Sequence, residues 1–236
     1  LSMESSLASL TEWLAPHKRV LVVGMSHESL DVYASVFALG EWLASQQKEV
    51  RCVIPESTSW PAVLGSPSLP LHAEIGAFRS LEVHVPLQST ELQELAYRVE
   101  DETLRLSLTP KAGMWQEKDV QTHPGAPLFD ACVILNASGA DVASLVAGEP
   151  EWTRALTAIE LRSANGPSLP VQHAVVLSRS TGISEALAHM FLERDPAFLA
   201  NAHAHALLAG ILASSRSFRD ARVSSDTFAV ASELVR

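Results

Sequence analysis

Val20-Leu21-Val22-Val23-Gly24-Met25-Ser26-His27-Glu28-Ser29-Leu30-Asp31-Val32-Tyr33-Ala34-Ser35 is the stretch whose reading decides the fold. Val20 to Val23 is a short continuous apolar run, as in a strand covered on both faces. Gly24 and the polar Ser26-His27-Glu28-Ser29 read as a connection. From Val32 onward Phe37, Ala38, Leu39, Trp42 and Leu43 follow a helical period. Val50-Arg51-Cys52-Val53-Ile54-Pro55 then predicts a second strand. Strand, helix and strand make a βαβ unit. Such a unit places the loop after its first strand at the carboxyl edge of a parallel sheet, where α/β folds bind ligands. If the chain has a site, that loop is part of it.

Upstream, Leu7, Leu10, Trp13 and Leu14 predict a short amphipathic helix lying on the sheet. Downstream, residues 57 to 71 carry Pro61, Pro67 and Pro70 and read as an irregular connection. The pattern then changes. Leu81 to Val85 alternates, and so do Leu95 to Val99 and Leu104 to Leu108, with Glu100-Asp101-Glu102 as the turn between the last two. Residues 78 to 120 are therefore read as an antiparallel β-hairpin insertion whose glutamates and arginines form a solvated surface. Its edge strands offer a route to a protein partner or a homo-oligomer. The core pattern resumes at Ala131 to Leu135, a buried strand. Short helices are expected at 142 to 146 and 152 to 156, and strands at 158 to 161 and 173 to 177. Three helices close the chain, at roughly 181 to 193, 197 to 214 and 224 to 235. Thr181, near Glu185, is expected to cap the first of these, and Ser225 or Asp226 the last. Strands alternating with helices predict an α/β fold, one domain over 1 to 236 with a mostly parallel sheet flanked by helices.

Composition narrows the function. A chain of 236 residues, 47% hydrophobic and 19% charged, is globular. Its formal net charge of -10 argues against broad, sequence-independent nucleic-acid binding, which needs a basic surface to displace counterions. Cys52 and Cys132 both fall inside apolar strand patterns and read as buried free thiols, which points to a reducing cytoplasm. No apolar run reaches the ~20 residues of a membrane span. Gly24 is a lone glycine and not a dinucleotide fingerprint.

Four separated segments together resemble the DHH phosphoesterase superfamily, which includes RecJ-like exonucleases, nanoRNase-type oligoribonucleases, cyclic-dinucleotide phosphodiesterases and pyrophosphatases. Val22 to Ser35 stands where the family has a strand and then His-x-Asn-Pro-Asp-Gly-Asp-x-x-Gly-Ser. Phe129 to Ser138 is similar to a family strand ending in Asp-Thr/Ser-Ser. Ile159-Glu160-Leu161-Arg162-Ser163-Ala164-Asn165 stands at the name-giving Asp-His-His. Ser180-Thr181-Gly182-Ile183-Ser184-Glu185 and then Leu208 to Phe218 stand where the family has Ser-Ser-Thr-x-Glu and Gly-Ile-x-x-Asp-Thr-Gly-x-Phe. The resemblance covers most of the chain apart from the insertion, and it implies a DHH-type α/β domain. In the family a second, substrate-binding domain often follows, and this sequence stops where the linker to it would begin.

The chemistry departs from that pattern. Active members hold two divalent cations, usually manganese, which activate water and stabilise charge on the phosphoryl group. Here Met25 stands for the first histidine, Ser29 for the first aspartate, Asn136 for the aspartate of the second motif, and Ser214 for that of the fourth. Glu160, Leu161 and Arg162 replace Asp-His-His. Asp31 alone is an intact ligand, and Glu160 a substitute for one. Hard cations want several oxygen ligands, so the resemblance implies a site that has lost its metal pair, with no catalytic residue and no cofactor.

The remaining pocket comprises His27, Ser29, Asp31, Asn136, Glu160, Arg162, Ser214 and Arg216. Asp31 is either a relic ligand or a helix cap and dipole partner. His27 binds a phosphate or metal, or is an exposed loop histidine. Arg162 and Arg216, the latter at a family glycine, bind a phosphate or carboxylate directly, or pair with Asp31 or Glu160 and fill the vacated site. His203 and His205, two apart on a helix, are a poor metal pair. The function implied is a pseudo-phosphoesterase that binds a nucleotide, a nucleic-acid end or a protein. The competing reading is a manganese- or magnesium-dependent phosphodiesterase acting on short oligonucleotides or cyclic dinucleotides. It requires Asp31, His27 and Glu160 to converge on one point. The first reading instead puts Arg162 or Arg216 there.

Overall fold

The computed structural model describes residues 10–25, 29–55, 57, 59–73, 79–88, 90–136, 157–163, 171, 173–177, 180–199 and 202–236. The chain divides into two compact units, Leu1–Phe78 with Pro127–Arg236, and Arg79–Ala126.

The first unit is built on a six-stranded sheet. Its strands are β1 (Arg19–Gly24), β2 (Glu49–Val53), β3 (Leu71–His72), β8 (Ala131–Leu135), β9 (Thr157–Ser163) and β10 (His173–Leu177). The order is β10-β9-β8-β1-β2-β3, and every pairing is parallel. The order runs outward in both directions from the β1–β8 pair, so the topological switch point lies between these two strands. Ligands of open α/β sheets bind beyond the carboxyl ends of strands at such a point. The β3 edge strand falls in the stretch that its prolines mark as irregular. Two residues pairing Cys52 with Leu71 and Val53 with His72 are too few for a periodic signal.

Side chains alternate across the sheet. Val20, Val22, Val133, Leu135, Ile159, Leu161, Val175 and Leu177 share one hydrophobic cluster with the helices α1 (Leu30–Ser45), α2 (Ile183–Arg194), α3 (Ala202–Ser214) and α4 (Ser225–Val235). Leu21, Val23, Cys132, Ile134 and Glu160, on the other face, are buried as well. Helical structure is present at 10–14, with Leu10 and Leu14 in the cluster. The Lys48 ammonium closes that turn, donating to the carbonyls of Leu14 at 2.9 Å and His17 at 2.6 Å. At the amino edge, Asp130 accepts from the Arg19 guanidinium at 2.8 Å and the Arg19 amide at 3.0 Å, which pins the start of β1 to the start of β8. The helices expected at 142 to 146 and 152 to 156 lie outside the described residues.

The helix caps correct two expectations. Gly182, not Thr181, is the N-cap of α2 and makes no side-chain bond, because the cap comes from elsewhere in the chain. Ser224, not Ser225 or Asp226, caps α4, in a box with Thr227.

The second unit is antiparallel. It pairs β4 (Arg79–His84) with β7 (Gln121–Pro127) and β5 (Leu92–Glu100) with β6 (Thr103–Pro110). The expected hairpin is β5–β6, turning at Asp101 and Glu102, both at positive φ of 51° and 58°. The β7 strand, past the anticipated end at 120, contains Pro124 and Gly125. Both are weak strand formers, which hid it from the sequence pattern.

Candidate functional site

Gly24 ends β1 where α1 comes down closest to the sheet. A Cβ there would stand 2.6 Å from Val32 and 2.7 Å from Val36, so only glycine lets α1 begin this close to the strand end. Ser29 caps α1, its hydroxyl accepting from the Val32 amide at 3.4 Å. Asp31 follows in the first turn, buried, at the carboxyl edge.

The Asp31 carboxylate caps a second helix. Oδ2 accepts from the Ile183 amide at 2.9 Å and Oδ1 from the Ser184 amide at 2.8 Å, across 152 and 153 residues of sequence. These are the first two amides of α2, which carry the positive end of its dipole. Ser184 returns the contact, its hydroxyl donating to the Asp31 carbonyl at 3.1 Å and meeting the Ser35 hydroxyl at 3.1 Å. Gly182 is pressed into the same junction. A Cβ there would stand 2.6 Å from Asp31 Oδ2 and 2.6 Å from Ser214. Gly210 of α3 sits against Ser184 and Ala34, so three helices meet at one small-residue contact.

Glu185 extends this polar centre. Its Oε2 accepts from the Thr181 amide and hydroxyl, each at 2.6 Å, and its Oε1 from the Thr227 hydroxyl at 2.8 Å. The buried glutamate of the Ser-Ser-Thr-x-Glu-like segment thus ties the approach to α2 to the helix α4. Ser214 stands at 3.4 Å from the Thr181 hydroxyl. Burial raises the pKa of Asp31 above its ordinary value. The Ser184 hydroxyl and the Ser184 and Ile183 amides oppose the rise, and the charge of Glu185 adds to it.

The other expected site residues divide. Asn136 lies at the switch point just beyond β8, in the left-handed region at φ 56°, with its amide donating to the Leu161 carbonyl at 2.9 Å. The Met25 amide beside it donates to the Leu135 carbonyl at 2.9 Å. Glu160 and Arg162 alternate with the core residues Ile159 and Leu161, so they face away from α1 and Asp31. They form an ion pair, Nε to Oε2 at 3.8 Å, in which Glu160 is fully buried and Arg162 partly exposed. Arg216 is exposed at the end of α3 and opens three successive left-handed residues, Arg216, Ser217 and Phe218, at φ 51°, 56° and 63°. His27 lies outside the described residues. His203 is a packing residue, stacked at 4.1 Å between ring centroids on Phe198 and at 5.5 Å on Phe37.

One cation escaped the sequence reading. Arg222 grips Asp220 through Nε at 2.9 Å. That bond first, and then the charges of Glu185 and Asp31, hold its pKa above the ordinary arginine value. Arg222 thus stands within electrostatic reach of the Glu185 and Asp31 carboxylates. It lies past the last family-like motif, and only the Asp-x-Arg spacing at 220 to 222 marks it. The Asp220 carboxyl is drawn down to about 2, chiefly by these bonds.

The described residues do not assemble a two-metal centre. Among the described residues no three His, Cys, Asp or Glu side chains are placed to hold a metal ion. Asp31 is committed to α2, and Glu160 faces the other side of the sheet. A surface groove of about 480 Å³ bordered by Ser57, Trp60, Leu69 and Leu71 has no ionisable side chain in its lining and lies at the β3 edge, away from the switch point.

No protein-family model and no curated protein matches the chain. Solved structures do. An exopolyphosphatase-related protein from Bacteroides fragilis superposes with a TM-score of 0.58 at 14% identity, over 98% of this chain and 56% of that one. The first unit and the insertion together share the fold of that protein. Exonuclease RecJ bound to manganese is also similar, with a TM-score of 0.46 at 12% identity over 100% of this chain and 47% of its own. RecJ from Thermus thermophilus, in complex with Mn2+, gives 0.37 at 12%, over 99% and 37%. The chain thus spans about half the length, or less, of the solved structures it matches. No helix among the described residues is long and apolar enough to cross a membrane.

Proposed function

We propose that this DHH-type domain binds a phosphate-bearing ligand, a nucleotide or a nucleic-acid end, at the β1–β8 switch point without hydrolysing it. The observation that carries the reading is the placement of Asp31. A carboxylate that caps α2 with both oxygens, in a junction too tight for a Cβ at Gly182, is a structural brace. Ser29, Asn136 and Ser214 carry hydroxyls and an amide at the positions where the resemblance puts metal-binding carboxylates. Three carboxylates with no metal between them would repel a phosphate. Neutral donors accept one directly. The net charge of -10 favours a short ligand over an extended polyanion.

Calorimetric titration with a 5′-phosphorylated dinucleotide, with and without manganese, tests this, followed by a hydrolysis assay in the same buffer. The expected result is binding that does not require manganese and no turnover. Ser214→Asp should weaken that binding about tenfold by charge repulsion. Manganese-dependent hydrolysis that disappears in Asp31→Asn would overturn the proposal in favour of a metal-dependent phosphodiesterase.

A further inference from the structure

The β5–β6 hairpin has one wholly apolar face with nothing packed on it among the described residues. Its register pairs Leu95 with Leu108, Tyr97 with Leu106, and Val99 with Leu104, three consecutive rows on the same side. Tyr97 is 77% exposed, Val99 68%, Leu95 60%, Leu104 59% and Leu106 49%. The opposite side is polar, and its Glu100 is shared by Arg98 and Arg105 at 3.5 Å each. An isolated two-stranded hairpin is marginal in water, and burial of its apolar face is what stabilises it.

We propose that this face packs on the same face of a second copy of the chain, giving a two-fold dimer through stacked hairpins. Three observations select a second copy. The six positions carry no charge, whereas the whole chain carries -10, so two copies repel over most of their surface and approach most cheaply here. The rows are self-complementary. A two-fold axis between the faces, parallel to the strands and midway between β5 and β6, sets Tyr97 against Leu106 of the partner subunit and each outer row against its own copy. The area suffices: the exposed side chains offer roughly 600 Å² per copy, about 1,200 Å² in the pair, the lower bound for a stable interface. The contact differs from edge-to-edge strand pairing because it buries side chains and leaves the strand edges open.

Sedimentation equilibrium on the full chain reads this directly. The wild type should be dimeric at about 100 µM. Tyr97→Lys combined with Leu106→Lys should weaken association at least about tenfold, while Ser107→Lys on the polar face should leave it unchanged. All three positions are exposed, and circular dichroism confirms that each variant folds. A second measurement does not depend on weakening the fold. Tyr97→Cys should be cross-linked between copies by a bismaleimide spanning about 10 Å, the spacing of stacked sheets, and Ser107→Cys should not, since the native cysteines are buried. A wild type that stays monomeric, a face variant that dimerises as tightly as wild type, or equal cross-linking at 97 and 107 overturns the proposal.

Discussion

Asp31 shows how a single residue can be legible in kind and illegible in role. Its position near a helix start points to capping or ligation, and it does cap. The helix it caps, however, begins 152 residues later, and no local pattern encodes that. The same contact yields a pH prediction. Burial holds the folded carboxyl above its ordinary 3.8, so the folded state binds this proton more tightly than the unfolded chain does. Its stabilising contribution is complete below that ordinary value and declines as pH rises through the raised one. Asp31→Asn removes the titration and loses one of two amide bonds, at a cost of about 1–2 kcal/mol at pH 4. Urea unfolding should show that deficit shrinking between pH 4 and pH 7. A deficit that grows with pH would mean that the amides outweigh burial. Arg216 carries a second residue-scale prediction. It occupies a left-handed conformation at φ 51°, at the position where the resembled motif has glycine. Arg216→Gly should stabilise the first unit by about 1 kcal/mol through relief of that strain, read as a higher urea midpoint with unchanged slope.

At the scale of elements, apolar runs and alternation located the longer strands and helices well, because burial on one or two faces leaves a periodic trace. What escaped had no such trace. The β3 strand is two residues long, β7 runs through Pro124 and Gly125, and the cap of α2 comes from another helix. The charged side of β5–β6 was readable as a solvated surface. The equal alternation of its other side, Leu95, Tyr97 and Val99 against Leu104, Leu106 and Leu108, has its consequence only once the register is known. The turn of this hairpin is a testable weak point. Asp101 and Glu102 both adopt positive φ, the geometry of a type I′ turn, in which glycine is preferred at the second position. Glu102→Gly should relieve about 1 kcal/mol there. The expected readout is about fivefold slower amide exchange at Arg98 and Arg105, the hydrogen-bonded pair behind the turn, with no change in the strands of the first unit.

On the scale of the whole molecule, strand order decides where chemistry can occur, and sequence does not state strand order. The reading of Val20 to Ser35 anticipated the carboxyl edge correctly. It could not show that β8 pairs with β1, which makes that edge the topological switch point, nor that Glu160 and Arg162 turn to the other face. The two thiols test the sheet that results. Cys52 sits on β2, beside the two-residue edge strand β3, and burial pushes its thiol up to about 12, with the Glu41 charge adding to the rise. Cys132 sits on β8 between β1 and β9, fully buried, and burial raises it as well. Thiolate is the reactive form, so neither should react with a disulfide reagent at pH 8 while the sheet is closed. Opening the short β3 edge frees Cys52, whereas freeing Cys132 requires the centre of the sheet to come apart. Labelling in rising urea should therefore show two phases, Cys52 first and Cys132 in step with global unfolding. Simultaneous labelling would mean that β3 is as firmly held as the β1–β8 pair, and that the switch point between those central strands is no more rigid than the edge.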